Sequence, residues 1–223
     1  MCGRYTITFS ADSAREDLGI VQMPEDYQPR HNVAPTQAVA VVVNAAERKA
    51  EWMRWGLIPY WAKDPSIGSK LINARSETIS EKPAFKNAFN KRRCLVLADG
   101  FYEWKKGAGP KGRSQPYYFR QEDAKPFAFA GIWEFWRSPD AGEVRTCSII
   151  TCEANGLVKP VHERMPVILS GQDMWAWLSP DQPGDLLTLL KPYPAERMTA
   201  YQVSTQVNRP ELDIPDLILP LAI

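Results

Sequence analysis

The chain has 223 residues, 44% of them hydrophobic and 24% charged, with a formal net charge of +1. That is the composition of an ordinary globule, long enough for one domain that buries about 70% of its unfolded surface. It excludes a globally basic DNA-coating protein but leaves room for a local positive groove, and no apolar run is long enough to cross a bilayer as a helix.

The opening MCGRYTITFS has neither the basic region nor the apolar stretch of a signal peptide, so a cytoplasmic protein with reduced thiols is expected. A helix is predicted over Ser10 to Leu18. AVAVVVN at Ala38 to Asn44 and EWMRW at Glu51 to Trp55 read as two strands of a hairpin, and a second helix is predicted over Pro83 to Lys91. Further strands follow at Cys94 to Ala98, Pro116 to Phe119, Phe127 to Trp133 and Arg145 to Thr151. A glycine-rich basic hairpin tip lies between Glu103 and Pro116. The last helices are predicted over Ser170 to Leu178, with Ser170 and Asp173 as a capping pair, and over Gly184 to Leu190. The core is therefore mainly sheet, with helices around it. The four cysteines, Cys2, Cys94, Cys147 and Cys152, show no CxxC spacing and only two histidines accompany them, so neither a zinc site, a disulfide nor a cofactor is expected.

Cys2 is the first unusual residue. Methionine removal is favoured by a small second residue and would make it N-terminal, turning it into a 1,2-aminothiol. Its amine can then form a Schiff base with an aldehyde, and its thiol can close a thiazolidine ring. Free values near 7.7–8.0 for the amine and about 8.5 for the thiol leave a minority of each nucleophilic at neutral pH. Three other segments carry polar residues where core patterning would not put them. LINARSET holds Asn73, Arg75 and Glu77: the amide can orient an amine or sugar hydroxyl, and the guanidinium can hold phosphate, although a turn with a surface charge gives the same pattern. ADGFYEWKK sets Glu103 among aromatic residues that could raise its pKa for acid/base work; an exposed alternating strand reads equally well. TCEANGLVKPVHERMP places His162 and Arg164 in a proline-bounded loop after a strand, where a proton shuttle and a structural histidine are both possible.

Together MCGRY, LINARSE, DGFYEWK and VHERMP, with RHNVAPTQ at Arg30 to Gln37 and RWGLIPYW at Arg54 to Trp61, resemble the SRAP family of SOS response-associated peptidases. The likeness runs from Cys2 to about Val207. It implies an α+β fold, a single SRAP-like domain over residues 1–223, with a twisted, barrel-like and mainly antiparallel sheet flanked by short helices. It also implies a positive groove for single-stranded DNA and covalent cross-linking to abasic sites, in a protein associated with the nucleoid when bound. By motif, Cys2 is the nucleophile, Asn73 and Glu103 are positioning and acid/base groups, and His162 is a second acid/base group. Arg4, Arg75 and Arg164 flank these residues and could neutralise phosphates. Trp61, with Tyr60 beside it, could stack on a base, and Thr151 could add a hydroxyl. Two rival readings stay open: a cysteine (auto)peptidase or N-terminal-nucleophile hydrolase using Cys2 and His162, and a non-enzymatic reader of modified cytosine. With no heptad pattern, a monomer is the default.

Overall fold

The computed structural model describes residues 2–107, 112, 114–138, 142–179 and 186–221. Among the described residues thirteen strands form two sheets. In chain order they are β1 (Tyr5–Ile7), β2 (Arg30–Val33), β3 (Ala38–Val42), β4 (Ala50–Trp55), β5 (Asn73–Arg75), β6 (Arg93–Ala98), β7 (Gly100–Lys105), β8 (Gln115–Gln121), β9 (Phe127–Ser138), β10 (Gly142–Glu153), β11 (Arg164–Pro166), β12 (Ile168–Leu169) and β13 (Met198–Gln202). The first sheet runs β13-β8-β7-β1-β2. In the second, β10-β4-β3-β6-β9 close into a five-stranded barrel because β9 also pairs with β10. All barrel pairings are antiparallel except β4 with β10. This is the expected α+β, barrel-like architecture.

The long strand β10 changes partners half-way. Along residues 142–149 one edge pairs with β9, and beyond it Thr151 to Glu153 pair with β11. On the other edge Thr146 and Cys147 pair in parallel with β4, and Ile149 to Thr151 then pair with β5. The first half of β10 thus builds the barrel, and the second half carries two short strands outside it.

The hydrophobic core is shared by both sheets. Tyr5 of β1 meets Trp55 of β4 edge-on at 5.4 Å and Phe129 of β9 at 5.6 Å, fixing one sheet against the other. On the opposite face of the five-stranded sheet, Tyr102 and Tyr118 pack with Val203, Val207 and Leu217 of the C-terminal segment. Gly100 is required there, because a Cβ at this position would lie 2.2 Å from the Tyr118 hydroxyl.

The α-helices among the described residues include α1 (Ala11–Leu18), α2 (Pro83–Lys91) and α3 (Gln172–Leu178). Ser10 caps α1, accepting from the Ser13 main-chain N–H, an interaction worth about 1 kcal/mol. The expected capping pair at α3 does not form. Gly171, with φ of 56°, takes the cap position, and Asp173 N–H bonds to the Ser170 main-chain carbonyl instead of its side chain. Strand β3 stops at Val42 and not at Asn44, because the Asn44 side chain accepts from the N–H groups of Ala46 and Glu47 and turns the chain. Of the helix expected over 184–190, the first two residues lie outside the described residues, and Leu187–Leu189 form a single 3-10 turn. The basic hairpin tip falls at 108–111 and 113, also outside them. Among the described residues no helix is long and apolar enough to cross a membrane.

Candidate active site

The polar residues expected from the sequence converge where β1 and β7 of one sheet meet β5 and β11 at the end of β10. Cys2 lies three residues before the start of β1 and is fully buried. Asn73, first residue of β5, donates from Nδ2 to the Cys2 carbonyl at 2.8 Å. Its Oδ1 is buried and has no hydrogen-bond partner among the described residues, which leaves an open acceptor on the amide that holds Cys2. The Cys2 thiol points to the Arg4 carbonyl at 3.9 Å. Burial pushes that thiol well above the usual cysteine range, and the nearby Glu103 carboxylate raises it further, so sulfur is held as S–H.

Glu103 sits on β7 with 3% exposure. Burial pushes its carboxyl up from 4.5 to about 7, which lets it change charge at neutral pH. The reason lies in the strand's alternation: Phe101 and Glu103 share the face turned to the interior, while Tyr102 faces the C-terminal segment.

His162 follows a turn in which its own N–H bonds to Val158. Its Nδ1 lies 3.0 Å from the Arg164 main-chain nitrogen and 3.2 Å from the Arg164 carbonyl. The first contact suits a neutral ring with its proton on Nε2, and the second a ring with a proton on Nδ1, either the other neutral tautomer or the imidazolium. Burial lowers the pKa below 6.5, so the neutral form prevails at pH 7. His162 shares a groove of about 380 Å³ with Trp104, Lys105, Lys106, Pro160, Val161 and Glu163, which brings it against the strand that carries Glu103.

The expected phosphate and DNA contacts divide. Arg164 grips Glu77 through two bonds of 2.6 and 3.0 Å and also donates to the Thr151 carbonyl at 2.6 Å and hydroxyl at 3.3 Å. Thr151 is fully buried, so its hydroxyl and Arg164 brace β10 against β11 in this structure rather than facing a ligand. Arg4 is 9% exposed, and its Nη1 is committed to Asn32 Oδ1 and the Val207 carbonyl, both at 2.7 Å. That is not the surface guanidinium expected of a phosphate ligand. Arg75 is exposed at the end of β5 with no side-chain partner among the described residues. Trp61 and Tyr60, 50% and 58% exposed, project from a separate turn beside a recess shared with Pro83, Lys86, Asn87 and Asn90. Asn32 was given no role by the sequence, although it stands inside RHNVAPTQ. Its place in β2 beside Val33, where the burial pattern turns inward, makes it a polar side chain that needs partners. Among the described residues no cluster of three or more His, Cys, Asp or Glu side chains could hold a metal ion.

A second-position cysteine held by an amide, with a buried carboxyl beside it, on this two-sheet fold defines the family: the chain belongs to the SOS response associated peptidase (SRAP) family, whose model matches residues 1–210. Among similar proteins, the abasic site processing protein YoqW of Bacillus subtilis (strain 168) is 44% identical over 223 residues, covering 98% of this chain and 99% of that protein. The abasic site processing protein HMCES of Gallus gallus is 33% identical over 267 residues, covering 99% of this chain and 78% of that protein. A crystal structure of a protein from Bacteroides thetaiotaomicron superposes with a TM-score of 0.85 at 27% identity, covering 99% of this chain and all of that one.

Proposed function

We propose that this protein processes abasic sites, and that it does so in single-stranded DNA by forming a covalent thiazolidine through Cys2 once Met1 has been removed. The observation that carries the reading is the meeting of Cys2 with Asn73 and Glu103: an amide fixes the residue's carbonyl while a carboxyl of pKa about 7 lies beside its thiol. The names of the related abasic site processing proteins supply the substrate class.

The chemistry follows in order. The open-chain sugar presents an aldehyde at C1′. Glu103, ionised, takes a proton from the Cys2 ammonium, and the freed amine attacks C1′ to give a carbinolamine. Loss of water forms the imine. The thiol sulfur then adds to the imine carbon and its proton passes to the imine nitrogen, closing the five-membered ring. A thiol held protonated by burial suits this sequence, since amine attack precedes sulfur attack; it suits a thiol-first peptidase less well. His162, neutral with its proton on Nε2, hydrogen-bonds the sugar ring oxygen during ring opening, in which the C1′–O4′ bond breaks and the proton of the C1′ hydroxyl passes to O4′. The open acceptor at Asn73 Oδ1 receives an N–H of the amine or a sugar hydroxyl. Arg75 contacts phosphate and Trp61 stacks on a base, outside the reacting centre.

The test is mass spectrometry of the purified protein before and after incubation with single-stranded DNA carrying one abasic site, with intact DNA as control. Loss of Met1 and a stable adduct on the Cys2 peptide, with abasic DNA alone, is expected. Retained Met1, or an unmodified Cys2 together with undiminished DNA binding, would support the modified-cytosine reader instead, and peptide turnover that depends on Cys2 would support the peptidase. Cys2→Ala keeps an N-terminal amine but no thiol, so only a short-lived imine, trapped by borohydride, should form.

A further inference from the structure

The reaction proposed above places its nucleophile at the end of the chain, and chain ends fray unless they are tied down. Between Cys2 and the first residue of β1 stand only Gly3 and Arg4, and Gly3 has no side chain to anchor. Arg4 is anchored at both its main chain and its side chain. Its carbonyl accepts from Tyr102 N–H at 3.0 Å, and its Nη1 reaches Asn32 Oδ1 and the Val207 carbonyl at 2.7 Å each. Asn32 is itself fully buried, and its Nδ2 donates to the carbonyls of Arg209 at 3.0 Å and Leu212 at 2.6 Å. Asp213 then ties the same segment to β2, accepting from Arg30 Nε at 3.0 Å and from the His31 N–H at 2.6 Å. Beside them Trp104, next to Glu103 in β7, donates to Asn208 Oδ1 at 2.7 Å.

We infer that Arg4 is a positioning residue for Cys2, and that Asn32 with the C-terminal segment from Val207 to Asp213 forms the clasp that holds it. The inference rests on the proposed reaction at Cys2 for its consequence, but not for its geometry. The clasp joins residues 203 positions apart in the sequence. It acts on the face of β1 and β7 opposite the interior, so it orders the Cys2 backbone without entering the site. A nucleophile displaced by about 1 Å can lose on the order of a hundredfold in rate, because the aligned approach is lost while binding is kept.

The experiment separates positioning from phosphate binding. The single-turnover rate of adduct formation is measured at saturating abasic single-stranded DNA, and the affinity for intact single-stranded DNA is measured against salt. Arg4→Ala is expected to lower the saturating rate by about tenfold to a hundredfold while leaving the affinity and its salt slope unchanged. Arg4→Lys, which can still donate to one of the two acceptors, should recover part of the rate. A salt slope reduced by about 0.7, with an unchanged saturating rate, would make Arg4 a phosphate ligand and overturn the inference. Hydrogen exchange of residues 4–6 in Arg4→Lys and Asn32→Ala provides a readout independent of the reaction. Exchange faster than in the parent, with barrel strands β6 and β9 unchanged, is expected; undiminished protection would overturn the clasp. Should the parent form no adduct at all, the proposed function fails, while the exchange result still decides the clasp.

Discussion

Glu103→Gln is the substitution whose energetic consequence the structure fixes best. Glutamine keeps the volume and removes the charge. The carboxyl titrates near 4.5 when unfolded and at about 7 in the fold, because burial disfavours its ionised form. Between those values the folded state binds the extra proton, so stability falls as pH rises from about 4.5 to about 7 and then levels off. A shift of about 2.5 units at roughly 1.4 kcal/mol each corresponds to a loss of about 3 kcal/mol, order of magnitude, between pH 4 and pH 8. The variant lacks this loss. Urea unfolding of both proteins at pH 4, 5, 6, 7 and 8 should therefore show the glutamine form gaining on the parent by about 3 kcal/mol across the series, although it is slower in adduct formation by about 10²–10⁴-fold. A stability difference constant across the series would refute the assignment of the raised pKa to Glu103, and a gain in the opposite direction would mean that the fold stabilises the carboxylate.

Three further outcomes follow from the same geometry. The rate of adduct formation in the parent should rise as pH passes through about 7, and in Glu103→Gln only a rise near 7.7–8.0 from the amine itself should remain; identical profiles, measured by gel shift over time, would assign the ionisation elsewhere. Trp61→Ala should weaken single-stranded DNA binding by about 1–3 kcal/mol in a fluorescence titration and leave the melting temperature nearly unchanged, since the indole is half exposed. Gly100→Ala should destabilise the fold by about 1–3 kcal/mol in thermal or urea unfolding, because the new methyl meets the buried Tyr118 ring and disturbs its 2.9 Å contact with Thr6.

What could be read from the sequence was what depends on near neighbours. The β-branched run at 38–42 and the alternating 51–55 do pair as a hairpin, and Ser10 does cap α1, because pattern and cap act within a few residues. Strands β1, β5, β11 and β12, of two or three residues each, carry too few positions to show a period, and they form only because β7, β10 and β9 offer edges to pair with. Cys2, Asn73, Glu103 and His162 were selected by residue type and motif, and they do gather in one region. The arginines were harder to judge. Arg4, Arg75 and Arg164 look alike in sequence, yet one is tied to the chain's far end, one is exposed and one is paired with Glu77. Those differences are set by contacts across 203 and 87 residues, which no local pattern encodes.

Burial suppresses ionisation of the Cys2 thiol. Peroxide and alkylating electrophiles react with thiolate, so a sulfur kept as S–H in a closed site is a poor target for them. For the reaction proposed at Cys2 this matters, because each molecule has one Cys2 and oxidation to sulfinic acid would remove it for good. If Cys2 reacts as proposed, the burial that slows sulfur's own chemistry acts as a preservative, storing the group in reduced form until a carbon electrophile is delivered beside it.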